Sequence, residues 1–241
     1  MCAPTPRSHH FGGRLGPLEG PPDPSDWEAM ESSTTMAARE PVDLRAETER
    51  AYIKYIGKWG PNFSRTLDIT DYKGWKNTSE AVDSVLHFNK GAMVLDLQSG
   101  PGRLGEKLKE YGFTNIDAIE GNPRMLEVAA KRGVYQNLIQ CVVGLEEISI
   151  AENTYDCVMT CGSFHEHNLD HTIIPDIVKW IKPGGFMVLN ISTEAYKSEY
   201  LKQLGPTLSA LNASGKIRFV VLDKRSNYGC VDSVIVTFRV M

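Results

Sequence analysis

Residues 93–105 read Met93-Val94-Leu95-Asp96-Leu97-Gln98-Ser99-Gly100-Pro101-Gly102-Arg103-Leu104-Gly105. A short apolar run ends in an acid, and a glycine-bearing turn then opens an amphipathic segment. A parallel α/β sheet presents backbone N–H groups and a helix N-terminus to a ligand in this way. Gly100 and Gly102 carry no Cβ, so the main chain can approach a ligand closely there. Glu120 follows Asp96 by 24 residues and ends the next apolar run. A carboxylate at that place can accept hydrogen bonds from two ribose hydroxyls.

Working outward, strands and helices alternate. The periodicity predicts strands over 92–97, 115–119, 137–143, 154–161 and 185–192. Helices are expected over 103–111, 123–132 and 170–181. Lys182-Pro183-Gly184-Gly185 is read as the terminator of the last of these. A further helix is expected near 195–211. Two β-rich runs, Lys216–Leu222 and Val231–Val240, follow, joined through residues 224–229. That short connection suits a hairpin, which makes the last strand antiparallel to its neighbour. Repeated βαβ units require a mostly parallel sheet with helices on both faces. The expectation is an α/β, Rossmann-like, seven-stranded sheet with an antiparallel last strand and N-terminal helices.

Upstream, a helix over 45–60 carries Tyr52, Tyr55, Ile56 and Trp59 at helical spacing. A second, over 78–88, turns Ala81, Val85 and Leu86 inward. Residues 1–44 are rich in Pro, Gly, Ser and charge, which predicts a disordered tail ahead of one domain over 45–241. The 241 residues are 41% apolar and 23% charged with a net charge of −4, which gives no electrostatic reason for a nucleic-acid partner. No apolar run nears the ~20 residues of a membrane span. An export signal's apolar stretch is missing from the N-terminus. Five cysteines without zinc-like pairs suit a reducing compartment, so a cytoplasmic protein is expected.

The glycine turn formally fits a dinucleotide fingerprint, with Gly105 as the third glycine, but the hairpin-ended seven-strand pattern is not typical of NAD domains. The chain resembles class I S-adenosylmethionine-dependent methyltransferases, and among them most the methyltransferase-like protein 27 group of the Williams–Beuren region. The resemblance covers roughly residues 50–192. Val94 to Gly102 matches the motif after strand one. Glu120-Gly121-Asn122-Pro123-Arg124-Met125-Leu126 matches the motif after strand two. Tyr55, Trp59 and Phe63 match an upstream aromatic helix, Val143-Gly144-Leu145-Glu146 an adenine-binding turn, and Tyr155-Asp156 the start of strand four. Two residues depart from the pattern. Gln98 stands where the family has Gly or Ala, and Ser64 replaces the Asp that follows the aromatic helix.

The resemblance implies S-adenosylmethionine as cofactor, held by Asp96, Gln98, Gly100, Gly102, Glu120, Gly121, Asn122, Leu145, Glu146 and Cys161. Asn122 is read either as a second ribose ligand or as the N-cap before Pro123. Leu145 is read as an adenine neighbour or as core. Trp59 and Phe63 either close over the cofactor or pin the N-terminal helix, and Tyr55 supports them. His165 and His167, in the loop after strand four, are candidate proton acceptors. A metal site would need His171 to converge with them, and acceptor-pocket or solvated histidines are preferred. The expected reaction is methyl transfer to a small-molecule acceptor, with a protein partner possible. A non-catalytic cofactor-binding regulator, motivated by Gln98, is the alternative, and a nicotinamide-dependent oxidoreductase is a third, less favoured reading.

Overall fold

The computed structural model describes residues 71–165, 168–228 and 231–241. The expected tail over 1–44 and helix over 45–60 lie outside the described residues. In chain order the elements begin with helix α1 (Gly74–Leu86), strand β1 (Met93–Leu97), helix α2 (Arg103–Glu110), strand β2 (Asn115–Glu120) and helix α3 (Pro123–Arg132). Strands β3 (Leu138–Gln140) and β4 (Tyr155–Cys161) follow, then helix α4 (Ile174–Trp180) and strand β5 (Ile181–Ser192). Helices α5 (Thr193–Tyr196) and α6 (Leu204–Ala213) precede strands β6 (Ile217–Tyr228) and β7 (Val231–Val240).

The seven strands lie in the order β3-β2-β1-β4-β5-β7-β6, with β7 antiparallel to both of its neighbours. The expected Rossmann-like architecture is the one observed. Val94 faces Leu104, Leu108 and Val82 on one side of the sheet, while Leu95 and Leu97 face Ile174, Ile177 and Trp180 on the other. This alternation buries both faces and accounts for the near-continuous apolar reading of β1 and β4. On either side of β1 and β4 the strand order runs outward in opposite directions. A crevice therefore opens at the carboxyl ends of these two strands, where open α/β sheets bind ligands.

α3 follows its sequence prediction residue for residue. The Asn122 Oδ1 accepts the N–H groups of Arg124 (3.0 Å) and Met125 (3.4 Å), Pro123 takes the first helical position, and Gly133 closes the helix at φ 60°.

Elsewhere the structure corrects the expected boundaries. The segment 170–181 is divided into a 3-10 turn (His171–Ile173) and α4, because Pro175 has no N–H to donate and is accommodated in the first turn of a new helix. Lys182-Pro183-Gly184-Gly185 is no helix terminator, because α4 ends at Trp180 and these residues belong to β5. They form an irregularity in the β4–β5 ladder, where a Cβ on Gly185 would sit 2.7 Å from the Asp156 carbonyl oxygen. The helix expected near 195–211 is likewise interrupted, and Pro206 lies in the first turn of α6, where its missing donor is harmless. β3 is shorter than the expected 137–143, because beyond Gln140 the chain turns back on itself at Val142–Glu146. β6 is longer than expected and reaches Tyr228, leaving residues 229 and 230 between it and β7. Among the described residues no helix is long and apolar enough to cross a membrane.

Candidate cofactor and acceptor site

The turn after β1 is built from alternating backbone conformations. Gln98, Gly100 and Gly102 have φ of 61°, 56° and 82°. Left-handed residues at every second position turn backbone N–H groups toward one concavity, an arrangement that attracts anions. Two of these groups are spent on shaping the turn: Ser99 N–H donates to the Ile119 carbonyl (3.0 Å) and Gly102 N–H to the Ser99 carbonyl (3.1 Å). Gly100 N–H donates to Glu120 Oε2 at 2.7 Å, and Asn122 N–H to Glu120 Oε1 at 2.7 Å. One carboxylate therefore ties the first crossover loop to the second. Each carboxylate oxygen can accept a further hydrogen bond, which leaves capacity for ligand hydroxyls. Burial raises the Glu120 pKa, opposed by the N–H groups of Asn122, Gly100 and Gly121.

Gln98 occupies the left-handed conformation that explains why glycine is usual there. An L-residue bears some strain at this φ. The departure from the family pattern therefore leaves the shape of the turn intact.

Asp96, at the carboxyl end of β1, is 1% exposed. Its Oδ2 accepts a hydrogen bond from the Tyr135 hydroxyl at 2.7 Å, and that hydroxyl in turn accepts the Gly105 N–H at 3.2 Å. Burial pushes the Asp96 pKa up to about 7; the Tyr135 bond opposes the rise and the Glu120 charge adds to it. Gly105 has a packing role here, since a Cβ on it would lie 2.4 Å from the Tyr135 ring. Arg132 completes the clamp, donating through Nε to the Pro101 carbonyl (2.6 Å) and through Nη1 to Glu106 (2.6 Å). Tyr135 and Arg132 escaped sequence reasoning. A tyrosine thirty residues beyond a glycine carries no local signal of the contact.

The remaining predicted cofactor residues fall around the same crevice with mixed roles. Gly121 is buried between Glu120 and the α3 cap. Asn122 adopts the N-cap role, and its Nδ2 is buried without a hydrogen-bond partner. Glu146 folds its carboxylate onto the Val142 N–H at 2.6 Å, and Leu145 is half-buried within the same turn. Glu146 thus shapes the turn after β3. Cys161 ends β4, and its thiol is pushed up to about 11 by burial, which keeps it protonated at neutral pH.

Tyr55, Trp59, Phe63 and His167 lie outside the described residues. His165 is half-buried in the loop after β4, with Nε2 3.2 Å from the Asn168 side-chain amide. Among the described residues no group of three metal-ligating side chains comes together.

Another aromatic set, missed from the sequence, borders the crevice. The Tyr72 hydroxyl lies 3.4 Å from Cys161 Sγ, and its ring lies 5.0 Å from Trp75 and 6.0 Å from Tyr228. A Cβ on Gly162 would meet that hydroxyl at 2.8 Å, so the glycine after β4 admits it. The Arg103 guanidinium, in the first turn of α2, stacks over Trp75 at 5.6 Å. The tip of the β6–β7 hairpin reaches this wall: Lys73 N–H donates to the Asn227 carbonyl (2.8 Å), and Asn77 Nδ2 to the Ser226 carbonyl (2.9 Å). The spacing of Tyr72 and Trp75 at a helix start was the one sequence signal available for this cluster.

Comparison with known proteins agrees with this layout. Residues 95–189 match the model of a methyltransferase domain family. The human methyltransferase-like protein 27 is 28% identical over 167 residues, which are 68% of this chain and 66% of that protein. The malonyl-[acyl-carrier protein] O-methyltransferase of Priestia megaterium is 30% identical over 105 residues, 43% of this chain and 38% of the enzyme. The chain thus spans just under two thirds of the first relative and well under half of the second. Among solved structures, the Burkholderia thailandensis 1,6-didemethyltoxoflavin-N1-methyltransferase, with bound 1,6-didemethyltoxoflavin and S-adenosylhomocysteine, superposes with a TM-score of 0.57 at 16% identity. The match covers 86% of this chain and 93% of that one, a likeness of fold.

Proposed function

We propose that this chain, which carries a domain of the class I S-adenosylmethionine-dependent methyltransferase kind, transfers the cofactor's methyl group to a small-molecule acceptor. The observation that carries the reading is the meeting of Asp96, Glu120 and the left-handed turn 98–102 at one crevice. A buried carboxylate beside that turn suits the methionine ammonium, and Glu120 retains acceptor capacity for ribose hydroxyls.

The sulfonium of the bound cofactor makes its methyl group electrophilic, so the cofactor carries the hard chemistry. The chain's part is to align an acceptor and to exclude water. Tyr72, Trp75 and Tyr228 form a wall suited to both tasks at the end of β4. His165 stands in the adjoining loop as a candidate proton acceptor. With a net charge of −4 the chain has no strong pull on nucleic acid, which favours a small acceptor. The free thiols of Cys141, Cys157 and Cys161 suit a reducing, cytoplasmic setting. The non-catalytic alternative is motivated by Gln98, whose backbone keeps the left-handed conformation of the turn.

Calorimetric titration with S-adenosylmethionine and S-adenosylhomocysteine tests the cofactor site. Micromolar binding is expected. Glu120→Gln should weaken it by about 10-fold or more, the worth of one charge-assisted hydrogen bond. A folded protein that binds neither compound sinks the proposal. Methyl transfer across an acceptor panel then separates the enzyme from a binding module.

A further inference from the structure

We infer that Tyr135 is a positioning residue for the cofactor: its hydroxyl holds the Asp96 carboxylate as the charged partner of the methionine ammonium and ties it to the first turn of α2. The inference rests on the assignment of Asp96 to the ammonium made above.

The geometry is a relay of two hydrogen bonds. Gly105 N–H donates to the Tyr135 hydroxyl, whose own proton goes to Asp96 Oδ2. With Oδ2 engaged from the side of α2, Oδ1 is the oxygen left to a ligand. The phenol is placed by packing on two glycines. A Cβ at Gly102 would lie 3.0 Å from its ring and one at Gly105 2.4 Å from it. Arg132, three residues earlier, grips Pro101 and Glu106, so the same stretch of chain fixes both the turn and its acid.

The groups facing Asp96 are few. Glu120 from β2 acts against its charge, and the Tyr135 hydroxyl from the loop before β3 favours it. Cys161 from β4 keeps its proton, with a pKa near 11. Burial and the Asp96 charge both raise the Tyr135 pKa, so the phenol stays a donor. On α2, Glu106 is paired with Arg132. Removing the hydroxyl leaves a fully buried carboxylate without its side-chain donor, and protonation then becomes easier.

The test compares Tyr135→Phe with the unaltered chain, titrating each with S-adenosylhomocysteine and with 5′-methylthioadenosine from about pH 5.5 to 9. Methylthioadenosine keeps the ribose and so reports Glu120, but it lacks the ammonium. In the unaltered chain, S-adenosylhomocysteine should lose affinity relative to methylthioadenosine as pH falls below about 7. In Tyr135→Phe that acid limb should move upward by about one pH unit, a tenfold weaker affinity on the acid side. Methylthioadenosine binding should change little. Incorporating 3-fluorotyrosine at 135, which keeps the hydroxyl and makes it a stronger donor, should move the limb the other way.

An acid limb in the unaltered chain that neither substitution moves overturns the role of Tyr135 alone. Equal loss of both ligands in Tyr135→Phe also overturns it, since that is the mark of a structural residue. No difference between the two ligands in the unaltered chain overturns the Asp96 assignment and this inference together.

Discussion

Replacing Asp96 by Asn tests the electrostatics of the crevice without any ligand. An unconstrained aspartate titrates near 3.8, whereas burial moves Asp96 to about 7. Between those values the folded protein holds a proton that the unfolded chain has released, so stability falls as pH rises through this window. The fall is about 1.4 kcal/mol per pH unit and levels off above the folded pKa. Across the whole window it amounts to about 4 kcal/mol, and from about pH 5.5 to 7 to about 2 kcal/mol. Asparagine has no such dependence and can still accept the Tyr135 hydroxyl. The stability difference between Asp96→Asn and the parent should therefore shift by about 2 kcal/mol in favour of the variant between about pH 5.5 and 8. For a chain of this size that is a relative gain in Tm of about 4–8 °C. Differential scanning fluorimetry and urea unfolding at the two pH values read it. The comparison of differences cancels the titrating groups that do not interact with Asp96 and the intrinsic effect of the amide. A gap between the two proteins that is the same at both pH values refutes the reasoning, because Asp96 would then titrate alike in folded and unfolded chains. The variant should also bind S-adenosylmethionine more weakly, so stability and cofactor affinity move in opposite directions.

Other outcomes follow from single positions. Gln98→Gly relieves a left-handed backbone at some cost in unfolded-chain entropy, for a net gain of about 0–1 kcal/mol in urea unfolding with cofactor affinity retained. A loss of affinity would instead give the Gln98 side chain a contact with the ligand. Gly105→Ala drives a methyl into the Tyr135 ring and should destabilise by about 1–3 kcal/mol in denaturant melts, with weaker S-adenosylhomocysteine binding in calorimetry. Gly162→Ala combines a φ of 70° with a contact on the Tyr72 hydroxyl. Stopped acceptor turnover with cofactor binding kept within a few-fold is the expected result, and unaltered turnover would remove Tyr72 from the acceptor wall.

Much of this molecule is determined by its local sequence. Asp96, the glycine turn and Glu120 are named by their spacing, because a strand, a tight turn and a helix start each need particular residues within a few positions. The start of α3 came from Asn122 and Pro123, which act through nearest-neighbour backbone geometry. The direction of β7 came from the shortness of the connection after β6. Prolines 175 and 206 also marked, in hindsight, where helices had to restart. What local pattern could not supply is which distant segments close the crevice. Tyr135 meets Asp96 across 39 residues and Tyr72 meets Cys161 across 89. The hairpin tip meets α1 across 149. Those partners are chosen by the order of strands in the sheet, and a side chain's periodicity carries no record of what lies opposite it. The roles of Asn122 and Glu146 turned on the same point. Each carries an oxygen that suits a ligand, and only the folded chain shows that this oxygen also accepts a neighbouring backbone N–H.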